Sequence, residues 1–80
     1  MIVRGVVEDG LIPSEKIVRI TTADGRQEEV SVSVSQVRDS GLEAQIIGSE
    51  EDKVLIELPR ESSSGRWRVW IHRDQVLVPA

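Results

Sequence analysis

Hydrophobic and polar positions alternate along most of this chain. Over residues 27–35, Val30, Val32 and Val34 alternate with Ser31, Ser33 and Ser35, the period-two pattern of a strand with one face buried and one wet. Residues 16–22 (KIVRITT) set Val18 and Ile20 against Ile17, Arg19 and Thr21. In residues 53–58 (KVLIEL), Val54, Ile56 and Leu58 point inward, and Pro59 closes the strand. Leu42, Ala44 and Ile46 face one way in residues 42–47, and residues 2–8 (IVRGVVE) form a first strand bent at Gly5. Residues 66–72 (RWRVWIH) form a further strand, and the turn Arg73-Asp74-Gln75 leads into a short last one at residues 76–78. The predicted core is Val18, Ile20, Val30, Val32, Val54, Ile56, Val69 and Ile71.

Breaks fall where the pattern needs them. Ala23-Asp24-Gly25-Arg26 carries the Asp-Gly signal of a tight type I′ hairpin, which requires positive φ at both central residues. Asp39-Ser40-Gly41 interrupts the middle of the chain, and residues 60–65 (RESSSG) form the longest polar connection. Pro13-Ser14-Glu15-Lys16 has the form of a helix start and is the one helical rival, but the β-branched Ile17, Val18, Ile20, Thr21 and Thr22 that follow argue against a long helix.

Composition agrees with this reading. Twelve Val and eight Ile outnumber five Leu and three Ala, and branched side chains favour pleated strands. Eighty residues suit a single domain with a small core. The expected fold is all-β, a small antiparallel barrel of five to six short strands, because closure protects strand edges. The succession over residues 42–78 of a hairpin, a strand opening Gly65-Arg66-Trp67, a one-turn connection and a very short last strand resembles the tail of SH3-like barrels. That resemblance implies an adaptor or accessory role. The chain departs from peptide-binding SH3 domains in having no Tyr to build their aromatic shelf. An OB-type barrel is the alternative.

Charge and chemistry narrow the functions. The net charge is -4, which weighs against a surface that binds nucleic acid all over. Residues 60–74 carry four Arg against two acids, whereas residues 1–59 carry six basic against twelve acidic side chains, so the C-terminal region is the basic end. The absence of Cys excludes disulfides and thiolate metal sites and suits a cytoplasmic location. No run of about 18 apolar residues is present, so no membrane association is expected, and Met1-Ile2-Val3-Arg4-Gly5 does not open a secretory leader. His72 with Asp74 and any of nine serines makes an inventory too small to define a triad. Glu50-Glu51-Asp52 lacks the alternating ligand spacing of a calcium loop and reads as a solvated hairpin tip. The serines at 31, 33 and 35 read as an ordinary wet face. No enzyme activity, cofactor or metal is expected.

Trp70 stands apart from these. In residues 66–72, Trp67, Val69 and Ile71 share one face and Arg66, Arg68, Trp70 and His72 the other. If Val69 and Ile71 enter the core, Trp70 points outward among cations. Trp and Arg lead the residues that anchor interfaces, although Trp70 covered by the Ser62–Gly65 loop would be purely structural. The expected partner-binding set is Arg66, Arg68, Trp70 and His72 with Arg60 and Arg73, docking an acidic surface of a protein partner. The alternative is a single-stranded nucleic-acid module in which Trp70 stacks a base and the arginines follow phosphates. One outward aromatic is few for such a platform.

Overall fold

The computed structural model describes residues 1–77; Val78 of the expected last strand lies outside them. The described residues form ten short strands: β1 (Ile2–Arg4), β2 (Val6–Asp9), β3 (Glu15–Thr21), β4 (Gln27–Ser33), β5 (Val37–Arg38), β6 (Gly41–Glu43), β7 (Gln45–Glu50), β8 (Lys53–Glu57), β9 (Arg68–His72) and β10 (Val76–Leu77). One-turn 3₁₀ helices at Val34–Gln36 and Arg73–Gln75 precede β5 and β10. Three antiparallel sheets result, ordered β10-β1-β6-β5, β2-β3-β4 and β7-β8-β9. Among the described residues no sheet closes on itself, so the single closed barrel expected from the pattern is not formed by these ladders. The runs are cut at Gly5 and Ala44, where the chain leaves one sheet and enters another.

All eight residues predicted inside are buried, joined by Val3, Leu42, Ala44 and Leu58, with Val7, Val37 and Val76 packed against them. Three neighbouring assignments differ. Val34 is 46% exposed because β4 ends at Ser33, whose hydroxyl caps the 3₁₀ turn and ends the alternation. Ile46 is 38% exposed although it pairs with the buried Ile56, because β7 is an edge strand of its sheet and its register shifts between Ile46 and Gly48. Trp67 is 53% exposed because it precedes β9 and is not held in phase with Val69 and Ile71.

The turn at Asp24-Gly25 also differs in type. Gly25 has φ +85°, as expected, but Asp24 is not among the residues with positive φ. The Gly25 amide donates to the Thr22 carbonyl (3.0 Å) and the Thr22 amide to the Arg26 carbonyl (2.7 Å). That is a longer loop with a left-handed glycine at its end rather than a two-residue type I′ turn.

The ladders reveal an arrangement that the sequence reading did not contain. In the four-stranded sheet, Ile2 and Val3 pair with Leu77 and Val76, while Gly41 and Leu42 pair with Arg38 and Val37. At its centre Ile2 faces Glu43, Val3 faces Leu42 and Arg4 faces Gly41. A step of about 39 residues turns each set of pairs into the other, a period within the range of repeated supersecondary units. The same step carries the pair Val18↔Val30 of one outer sheet to Ile56↔Val69 of the other. Backbone bonds repeat as well: Val34 N–H to Ser14 C=O (2.9 Å) is matched by Arg73 N–H to Asp52 C=O (2.8 Å). The turn Thr22–Arg26 is matched by Ser62–Arg66, where Gly65 has φ +86°. The chain is therefore two similar halves about a pseudo-twofold axis between β1 and β6. Each half pairs its last strand with the first strand of the other half. The halves share one core, since buried residues of both belong to a single cluster.

Gly41 sits at this seam. A Cβ there would lie 2.6 Å from both the Val3 carbonyl oxygen and Ile2 Cγ2, closer than any ordinary contact.

Candidate interaction surface

Alternation in β9 places Val69 and Ile71 inside and Arg68, Trp70 and His72 outside. Across the ladder, Glu57 faces Arg68, Leu55 faces Trp70 and Lys53 faces His72. Trp70 is half-buried rather than free, and two features cover it in part. The Lys53 ammonium lies 5.8 Å from the centroid of its ring, within reach of a cation–π attraction of roughly 0.5–1 kcal/mol at a solvated site. The loop from the first half crosses to β9, with the Ala23 amide donating to the Trp70 carbonyl (2.8 Å).

Between them lies a cleft of about 240 Å³ walled by Trp70 and Val69, with Thr22, Asp24, Lys53 and Arg66 at its rim. Small-molecule sites usually measure roughly 300–1,000 Å³. This cleft is smaller, matching a side chain better than a cofactor.

Arg66 reaches the cleft because its loop is fastened to β4. Glu28, only 4% exposed, accepts hydrogen bonds at Oε1 from the hydroxyls of Ser62 (2.7 Å) and Ser64 (2.5 Å). Its Oε2 lies 3.8 Å from Arg66 Nε. Burial pushes the Glu28 carboxyl up, but the Ser64 and Ser62 hydroxyls and the charges of Arg66 and Arg26 outweigh it, holding the carboxyl below its ordinary value of 4.5. The Ser63 amide adds a bond to the Glu29 carbonyl (2.8 Å). At the opposite rim, the Thr22 hydroxyl is the chief cause holding the Asp24 carboxyl below its usual range.

The six residues expected to bind a partner are thus only partly gathered. Arg66 and Trp70 share the cleft. Arg68 occupies the next row, 3.2 Å from Glu57, an exposed pair of small energetic weight. His72 lines a different cleft with Arg4, Arg19 and Gln75. Arg73 turns away to donate from Nε (3.1 Å) and Nη2 (2.8 Å) to the Glu51 carbonyl. Arg60 is exposed in the connection between β8 and β9 and does not line the Trp70 cleft. Lys53, outside that set, also lines the cleft. Its signal was present, since inward Val54 and Ile56 force Lys53 outward, but its nearness to Trp70 required the β8–β9 register.

The remaining candidates stay dispersed. Ser31 donates to Glu15 (2.8 Å), and Glu50-Glu51-Asp52 forms an exposed hairpin tip. Among the described residues no three His, Cys, Asp or Glu side chains are grouped to hold a metal ion. No helix of the described residues is long and apolar enough to cross a membrane.

No protein-family model matches the chain, and neither a curated protein nor a solved structure matches it.

Proposed function

We propose that this chain is a non-enzymatic interaction module, an adaptor or accessory subunit, that binds an acidic segment of a protein partner at the Trp70 face. The observation that carries the reading is the side-chain-sized cleft in which the Trp70 ring stands 5.8 Å from the Lys53 ammonium, with the cation Arg66 and one carboxylate, Asp24, also lining it. An aromatic wall gives apolar contact area and the flanking cations select negative charge, the combination found at interface anchors. A nucleic-acid platform is the weaker reading, because the overall charge of -4 opposes a polyanion.

The fold that we assign to this role is SH3-like in an open form, since no sheet of the described residues closes on itself. Its support is the succession of β9, 3₁₀ turn and β10. The lack of Cys supports a cytoplasmic place of work.

The test is capture of partners from native lysate by the wild-type chain and by Trp70→Ala, each with and without nuclease, alongside thermal melts of both proteins. Loss of a nuclease-resistant partner with the fold retained is the expected result. Unchanged capture by Trp70→Ala overturns the reading, and capture that nuclease abolishes transfers the face to nucleic acid.

A further inference from the structure

The duplicated scaffold gives each position on the outer face of β3–β4 a counterpart on the outer face of β8–β9. In the first half the cross-strand rows are Glu15 with Ser33, Ile17 with Ser31 and Arg19 with Glu29. In the second they are Lys53 with His72, Leu55 with Trp70 and Glu57 with Arg68. The aliphatic position is kept as Ile17 and Leu55. Each of the three charged positions changes sign, and Ser31 gives way to Trp70. The scaffold therefore does not demand these side chains, since one backbone arrangement carries both sets.

The two versions differ in what they leave open. In the first half, the Ser31 hydroxyl is spent on Glu15 (2.8 Å), and the free charge of that pair is negative. In the second half, a cation stands 5.8 Å from an indole ring beside an open cleft. The Lys53 ammonium has one carboxylate neighbour, Glu50 at 3.9 Å, and its side chain is 41% exposed. A loop arginine is common to both versions, Arg66 in one and Arg26 in the other.

We propose that Lys53 and Trp70 are the specificity pair of a single carboxylate-binding socket per chain, and that the Glu15–Ser31 position is its inactive counterpart. A glutamate side chain of the partner lays its methylenes on the Trp70 ring, while its carboxylate meets Lys53; Arg66, 3.8 Å from Glu28, balances the Asp24 carboxylate at the rim of the same cleft. The proposal rests on the reading of the Trp70 face as an acid-binding surface, and adds which residues select the ligand and how many ligands one chain takes.

The probe is fluorescein-labelled oligoglutamate, with oligoglutamine as the uncharged control, titrated into the full chain by anisotropy and by calorimetry. The wild type should bind one oligoglutamate and bind oligoglutamine at least about tenfold more weakly. The double variant Lys53→Glu with Trp70→Ser, which copies the first half's residues into the second, should lose at least about tenfold in affinity. Its melting curve should stay near that of the wild type, because the other half already carries these residues at the same positions. Lys53→Gln alone, at an exposed side chain, reads the same loss should the double variant unfold. The reverse graft, Glu15→Lys with Ser31→Trp, should create a second site beside Arg26. Wild-type binding that needs Trp70 but is indifferent to Lys53, or a graft that folds but still binds one peptide, overturns the proposal while leaving the Trp70 face in place as an acid-binding surface. Failure of the wild-type chain to bind oligoglutamate overturns both the surface and the socket.

Discussion

Two side chains show how differently buried groups act in this small core. Ile56 is fully buried in the shared cluster, so Ile56→Ala removes packed methylenes and leaves a cavity. The expected loss is about 2–5 kcal/mol, read from urea unfolding; a loss under about 0.5 kcal/mol would contradict the burial of β8. Glu28 is buried as an ion whose carboxyl is held below 4.5. A depressed folded value means that its contribution is fully present above the unfolded value and is lost as pH falls through the folded one. Wild-type stability should therefore drop on acidification below 4.5, and Glu28→Gln should be less stable at neutral pH with a flatter profile in that window. Equal pH slopes for the two proteins would show that Glu28 does not carry this dependence. The inward position of Ile56 was legible from alternation. The burial of Glu28 was not, because it depends on Ser62 and Ser64 arriving from the far half of the chain.

At the scale of elements, turns and caps set strand lengths that periodicity alone overestimates. The serine pattern suggests that β4 runs on to Ser35, yet Ser33 and Gln36 form a capping box that ends it. The glycine turns make a paired prediction. Gly25 and Gly65 both have positive φ, and a Cβ at either would meet nothing within 4 Å. Gly25→Val and Gly65→Val should therefore each destabilise by about 1–3 kcal/mol through backbone conformation alone. Denaturant melts of the two variants should show comparable losses, since the turns are counterparts. A loss at one and none at the other would argue that the two turns are not equivalent. The presence of a turn was readable from Asp24-Gly25, but its type depended on the strands that it joins.

For the whole molecule the decisive contact is the seam between β1 and β6. Gly41→Ala would ordinarily stabilise by restricting the unfolded chain, but here the added methyl meets the Val3 carbonyl and Ile2 at 2.6 Å. Overpacking at such a place costs roughly 1–3 kcal/mol. The variant should thus be less stable than wild type in equilibrium unfolding, with amide exchange in β1 and β6 accelerated together. A neutral or stabilising effect would contradict the close approach of the two halves. The seam also explains the reach of the Trp70 cleft, which takes Thr22 and Asp24 from one half and Lys53, Arg66 and Trp70 from the other.

Local alternation was enough to identify an all-β chain, eight of its buried core side chains and the outward register of Trp70, because burial on one face of a strand repeats every second residue whatever the strand packs against. Which strands meet was decided only in three dimensions. Pairing β1 with β6 and β10 joins segments far apart in the chain, and the aliphatic alternation that permits it is common to nearly every strand here. The internal duplication left faint marks, Gly25-Arg26 beside Gly65-Arg66 and Gln36-Val37 beside Gln75-Val76. Inner positions need only volume and hydrophobicity, and outer positions are free to change sign. Tertiary structure likewise divided the predicted basic face, sending His72 and Arg73 elsewhere and bringing Lys53 to Trp70. Such neighbours are set by cross-strand register and by loops crossing from the other half, and neither is encoded in the period of a single strand.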